Sequence, residues 1–296
     1  MLAALLTDRG VIRVTGEDAR RFLNGVVTND VEKLTPGGAR YAALLTPQGK
    51  IIVDFLIAEA GANDGGGFFI DAPKALTPTL VQKLGFYKLR AKVTIEDLSD
   101  RLVVMALWDG ARDTEYGLCF ADPRLPDLGI RAIVPPQVAE EAAADLGATL
   151  SDAEAYETHR IALGVPRGGE DFIYADTFPH EADMDQLHGV DFHKGCYIGQ
   201  EVVSRVEHRA TARSRIVPVT FEGAAPMQGL DVTAGDKQIG MMGSAAHGRG
   251  LALLRLDRVA DAIAAGTSIE SGGVVLRVTK PGWAGFAFPG ETKAAE

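Results

Sequence analysis

"FHKGCYIGQEVVSR", residues 192–205, holds one of only two cysteines in a chain of 296 residues. Cys196 follows a Lys-Gly pair and precedes a segment in which Val202, Val203 and Val206 recur at helical spacing. A cysteine without a task is ordinarily a small buried hydrophobe. Here a cation and a helix start stand close in sequence, and both favour S⁻ over SH. Two readings stay open on these residues alone: a reactive thiol beside Lys194, or a structural cysteine. The candidate bases His180, His188, His193 and His208 stand at no spacing that defines a Cys–His pair. Cys119, inside the strand-like "YGLCFA", reads as structural.

Working outward, the rest of the chain narrows the function classes. At 46% hydrophobic residues it can build substantial cores and is expected to form two or three domains. A net charge of −10 disfavours non-specific nucleic-acid binding, and no direct DNA contact is expected. Apolar runs such as "KIIVDFLIAEA" are too short and too interrupted by charge to span a bilayer, so no membrane partner is expected. The start "MLAALLTDRGVIRV" lacks a basic leader, which places the protein in the cytoplasm. Without a C-x-x-C pair, neither a disulfide framework nor a metal quartet is encoded; no stable metal is expected unless other ligands supply it. "GVPRGGED" and "AHGRG" match neither a phosphate loop nor a dinucleotide fingerprint.

Periodicity places the main elements. "VIRVTGEDARRFLNGVVTNDV" reads as a strand and then a helix capped by Thr15, with Ala19, Phe22, Leu23 and Val26 inward. "RYAALLT" and "KIIVDFLIA" form a hairpin around Pro47-Gln48-Gly49. On its second strand Asp54 shares a face with Ile52 and Leu56, so this carboxylate needs either a partner or water. A helix over 73–86 completes a β-β-β-α-β piece. "PQVAEEAAADLGA" is a further helix, and Ser151 to Glu154 is a capping box for another. Residues 165–192 form a long, irregular, polar loop, a kind that is usually functional. Arg205, Arg209, Arg213 and Arg215 fall on alternate positions, which in an extended segment gives either a solvated face or a grip on phosphate. Beyond residue 212, strands separated by glycine-rich turns read as a small β-barrel.

Several of these segments fall into one pattern. "KGCYIGQE", together with "GEDARRFLNGVVTNDV", "LLTPQGKIIVDFLI", "ETHRIALGVPRGGED" and Pro179-His180-Glu181, resembles the YgfZ-type folate-binding proteins, relatives of the T-protein (aminomethyltransferase) of the glycine cleavage system. The resemblance implies an α+β, three-domain ring: residues 1–35 with 97–205, residues 36–96, and a C-terminal β-barrel at 212–290. It also implies tetrahydrofolate binding and a role in assembly or repair of iron-sulfur proteins, with links to tRNA modification and oxidative stress. Iron-sulfur proteins or cluster carriers would be the partners. Cys196, Lys194 and Asp54 are then the chemical residues, with Asp54, Arg131, Glu181, Arg160, Tyr197, Gln200 and Glu201 around the folate. The T-protein's Asp-Asp pair reads Val53-Asp54 here, and its pterin-binding glutamate aligns with Arg131. That exchange replaces an acceptor by a cation, so folate is expected to bind more weakly or in another pose. Two alternatives stand beside the accessory factor: a tetrahydrofolate-dependent aminomethyl- or methyl-transferase using Asp54, and a scaffold that docks a cluster carrier.

Overall fold

The computed structural model describes residues 1–108, 116–209 and 212–290. The end of "DRLVVMALWDG" and Ala210-Thr211 of "RVEHRATARSR" lie outside the described residues. The chain divides into two compact units: Met1–Tyr156 with Leu187–Val202, and Glu157–Gln186 with Val203–Glu296.

The first unit contains β1 (Leu2–Leu5), β2 (Arg9–Thr15), α1 (Ala19–Val26), β3 (Ala39–Leu45), β4 (Ile51–Ala60), β5 (Gly67–Pro73), α2 (Thr77–Lys88), β6 (Thr94–Asp97), β7 (Val103–Trp108), β8 (Leu118–Ala121), β9 (Ile130–Val134), α3 (Ala139–Asp145) and β10 (Thr149–Ser151). They make two five-stranded sheets, one ordered β10-β1-β7-β9-β8 and the other β3-β4-β5-β2-β6. The second sheet, read from sequence as residues 36–96, also takes in β2, which pairs with β5 and β6. α1 buries Ala19, Phe22, Leu23 and Val26, as their spacing requires. Its cap position is Asp18 rather than Thr15, because Thr15 is drawn into β2 and pairs with Thr94.

Two further helices follow in chain order, α4 (Ala153–Leu163) and α5 (Gln200–Arg209). The expected capping box shifts by one residue. Asp152 Oδ1 accepts the Ala155 N–H at 2.8 Å, while Ser151 ends β10. Between Leu163 and Gln200 there is neither helix nor strand, in line with the long polar loop expected there.

In the second unit β11 (Ser214–Thr220), β12 (Asp231–Ala234), β13 (Lys237–Ala246), β14 (Arg249–Arg255), β15 (Ile269–Ser271), β16 (Val274–Val275) and β17 (Arg277–Val278) form one sheet ordered β16-β15-β12-β13-β14-β11-β17, the β-barrel the sequence predicts. Val217, Val219, Ile239 and Leu254 fill it, joined by Val259 and Ala262 of α6 (Leu256–Ala265). The arginine row does not survive as one face. Arg205 and Arg209 belong to α5, whereas Arg215 lies buried on β11. Among the described residues no helix is long and apolar enough to cross a membrane.

Candidate functional site

The signature loop is built from Asp191. Its Oδ1 accepts the N–H groups of His193 at 2.7 Å and Lys194 at 3.1 Å, an aspartate turn that bends the chain ahead of the cysteine. Lys194 then reaches into the unit, and its Nζ donates to three carbonyl oxygens: Asn24 at 2.7 Å, Val27 at 2.8 Å and Asn29 at 2.6 Å. These belong to the end of α1 and its exit, where carbonyls have no intrahelical donor. Burial draws the ammonium down to about 8, against the pull of Asp30, Asp191 and Glu32. The three acceptors use all three of its protons. Lys194, expected beside the sulfur as its activator, is therefore a clamp on the loop.

Cys196 is exposed at the outer side of this clamp. Tyr197 turns inward, with its ring centroid 5.4 Å from Lys194 Nζ, and burial followed by the Asp191 charge pushes its phenol up. The helix expected at the thiol begins only at Gln200, whose Oε1 accepts the Tyr197 N–H at 3.4 Å. Glu201 stands exposed in the first turn of α5. Gly199 has φ +80°, and a Cβ there would meet the Thr46 carbonyl oxygen at 2.5 Å and Leu45 Cβ at 3.0 Å. On the other side of that contact, a Cβ at Gly49 (φ +83°) would meet Val202 Cβ at 3.1 Å. The two glycines thus let the signature loop lie directly on the hairpin turn between β3 and β4.

Thr28 and Asn29 stitch the same loop from beneath, and sequence reasoning did not single them out. Thr28 Oγ1 donates to the Gly189 carbonyl at 2.6 Å and accepts the Ala43 N–H at 2.9 Å. Asn29 Nδ2 donates to the carbonyls of Tyr41 at 2.8 Å and His188 at 2.5 Å. A polar Thr-Asn-Asp directly after an apolar helix face is the signal that would have found them. A cleft of about 650 Å³ opens beside the loop, lined by Asn29, Arg40, His188, Asp191, Phe192 and His193 among others.

Asp54 and Arg131 lie on different sheets, yet one buried polar chain joins them. The Asp54 carboxylate, 6% exposed, accepts the Tyr41 hydroxyl at 2.9 Å. Burial, then the Asp54 charge, holds the Tyr41 phenol well above its ordinary value, so it remains a donor. The Arg124 guanidinium lies 5.7 Å from the Tyr41 ring centroid and makes a two-pronged pair with Asp122 at 3.0 and 2.7 Å. Asp122 also meets Arg131 Nε at 3.4 Å, and Arg131 Nη2 donates to the Tyr156 hydroxyl at 2.7 Å. Burial by itself would raise the Asp122 carboxyl, but Arg124 and Arg131 outweigh it and hold it at about 2. The charge reversal expected at position 131 is therefore half compensated, because Asp122 brings a carboxylate to it. Arg131 Nη1 is buried and has no hydrogen-bond partner among the described residues. Asp122 and Arg124, two apart in "ADPRLPD", escaped the sequence reading because nothing in that spacing shows that the acid pairs with both arginines.

Arg160 and Glu181 belong to the second unit. Arg160 is 1% exposed, and every N–H of its guanidinium is engaged, by Glu157, the Val165 carbonyl, Asp171 and Ser244. It is a structural hub with no donor left for a cofactor. Glu181 Oε2 accepts the Phe178 N–H at 2.9 Å, three residues back, and so stabilises its own turn.

With this geometry in place, comparison with known proteins is informative. Residues 6–112 match the GCVT N-terminal domain model, and residues 213–286 match the model for the CAF17 C-terminal beta-barrel domain. A protein from Pyricularia oryzae, named iron-sulfur cluster assembly factor IBA57 homolog, mitochondrial, is 32% identical over 90% of this chain and 76% of its own length. The chain belongs to the IBA57 family of iron-sulfur cluster assembly factors. A second IBA57 homolog, from Mycosarcoma maydis, is 37% identical over 74% of this chain; the match spans 57% of that relative's length. Human IBA57 is 29% identical over 94% of this chain and 84% of its own. The crystal structure of glycine cleavage system aminomethyltransferase T from Bartonella henselae covers 94% of this chain and 84% of its own, with a TM-score of 0.73 at 16% identity, a likeness of fold. The GcvT-like α+β architecture with a C-terminal barrel is thus the one the signature implies. The cytoplasmic placement is overturned: these IBA57 relatives are named mitochondrial proteins, which points to mitochondria instead. The expectation rested on the composition of the first residues of the sequence, which does not by itself fix the compartment.

Proposed function

We propose that this IBA57-family chain is a YgfZ-type factor serving the assembly or repair of iron-sulfur proteins, including iron-sulfur enzymes that modify tRNA, and that it acts through Cys196. The observation that carries this reading is an exposed thiol on a loop pinned from within, by Lys194 to the end of α1 and by Gly199 to the β3–β4 turn. A cysteine that only happened to be exposed would need no such clamp, whereas a sulfur offered to an iron-sulfur client or carrier must stand at a fixed place. The names of the relatives support the same role. The deciding experiment compares a deletion strain complemented with wild type or with Cys196→Ser, assayed for iron-sulfur enzyme activity and tRNA thiomethylation. Equal rescue by both would remove the thiol from the function.

The buried chain between Asp54 and Arg131 is the proposed place for tetrahydrofolate or a derivative. Two of its residues offer groups such a ligand would use: among the described residues Arg131 Nη1 has N–H donors that meet no partner, matching a pterin carbonyl or a glutamyl carboxylate, and Asp54 supplies an acceptor held by Tyr41. Bound folate would supply a one-carbon or redox-active carrier, and Asp54, Arg131 and Tyr41 would hold it. Isothermal titration with tetrahydrofolate tests this part, and absence of binding at millimolar ligand contradicts it. Turnover of a one-carbon donor in the same protein would favour the transferase reading over the accessory factor.

A further inference from the structure

We infer that the second unit carries a binding site for a divalent first-row metal ion, built from His180, Asp185 and Glu207. One nitrogen of His180 and one oxygen from each carboxylate lie within 4.8 Å of one another. His180 Nε2 and Glu207 Oε2 are 3.1 Å apart. A tetrahedral ion with legs of about 2.1 Å sets its ligands about 3.4 Å apart, so the imidazole and one carboxylate already stand at ligand spacing. Without an ion, that contact needs a proton between the two atoms; a metal takes the proton's place.

The surroundings are those of a prepared site. His180 is 2% exposed, in the polar loop that the role of Cys196 leaves unexplained. Arg215 of β11 organises the turn: Nη1 donates to the His180 carbonyl at 2.7 Å, and the guanidinium spans both oxygens of Asp185 at 2.6 and 2.9 Å. Asp185 Oδ2 also accepts Gln186 Nε2 at 2.8 Å, whereas Oδ1 accepts only from Arg215 and retains a second lone pair, so Oδ1 can bind a metal while Arg215 orients the group. An independent observation points the same way. Asp183, 0% exposed, shares Arg215 Nη1 with Asp185 at 3.3 Å, and its Oδ2 is buried with no hydrogen-bond partner among the described residues. A buried carboxylate oxygen left without a donor, on the residue that shares Arg215 with Asp185, marks a place short of hydrogen-bond donors. One nitrogen and several carboxylate oxygens suit Zn²⁺, Mn²⁺ or Fe²⁺ rather than a thiophilic ion.

The test uses the full chain carrying Cys196→Ser, so that the exposed thiol supplies no ligand, titrated with Co²⁺ and with Zn²⁺. Expected are one equivalent of metal, a visible Co²⁺ spectrum of nitrogen and oxygen ligands, and a metal-dependent rise in Tm. Glu207→Gln, at an exposed position where folding is not at stake, abolishes all three. Asp183→Asn weakens binding about 10-fold, as an outer-sphere change does. Failure to bind at sub-millimolar metal, or binding unaltered by Glu207→Gln, overturns the assignment; the role of Cys196 would stand untouched.

Discussion

Lys194→Met is the sharpest test of how the signature loop is held. The substitution keeps the length and apolar stem of the side chain and removes only the ammonium. Three carbonyl oxygens, those of Asn24, Val27 and Asn29, lose donors now at 2.6 to 2.8 Å. An orphaned buried acceptor costs about 1–3 kcal/mol, and with Lys194 still 8% exposed water can reach the rim, so the low end applies. The expected loss is about 3 kcal/mol, roughly 1 kcal/mol for each carbonyl. Removing a buried cation also relieves its desolvation, which makes this an upper figure. Urea denaturation reads the loss as a lower midpoint at unchanged m. Alkylation of Cys196 should meanwhile become faster and less uniform as the loop loosens. A midpoint within error of wild type together with an unchanged alkylation rate would show that the three contacts do not hold the loop.

Four further outcomes follow from single contacts. Acid titration should show a loss of about 2 kcal/mol between about pH 4 and pH 2 from Asp122, because its folded pKa of about 2 lies below the ordinary 3.8 and its contribution disappears as pH falls through that window; Asp122→Asn should flatten this limb of the pH profile. Gly199→Ala should cost about 2 kcal/mol, since the new Cβ meets the Thr46 carbonyl at a residue with φ +80°; an unchanged Tm would refute the close approach. Tyr41→Phe should cost about 1 kcal/mol by removing the hydroxyl that Asp54 accepts, with a wild-type denaturation curve as the contrary result. Arg160→Met should cost about 3 kcal/mol, because it leaves the fully buried Asp171 charge without its cation although Arg167 N–H and Ser244 still donate to it; full stability in that variant would reopen a ligand-binding role for Arg160.

Local pattern carried much of the reading. The apolar face of α1, the hairpin turn at Gly49, the barrel strands and the K-G-C signature all depend on residues within a few positions of one another, so periodicity and turn chemistry reveal them. The candidate site was legible only in part. Asp54 in apolar company raised the question of its partner, but the answer, Tyr41, depends on pairing between strands. Lys194 beside Cys196 in sequence suggested an electrostatic neighbour, whereas its ammonium turns to carbonyls more than a hundred positions earlier. Arg160 was placed around the folate by the family resemblance alone. Its burial among Glu157 and Asp171 could not be read from spacing.

By itself the sequence determined the family, the α+β architecture with its barrel, and the identity of the one cysteine set in a signature. Tertiary structure alone decided that Lys194 is a clamp, that Asp122 balances Arg131, and that His180, Asp185 and Glu207 converge. The physical reason is common to all three. A charged side chain takes its role from whichever opposite charge or acceptor lies within about 4 Å, and in a fold of long-range pairings those neighbours come from distant parts of the chain.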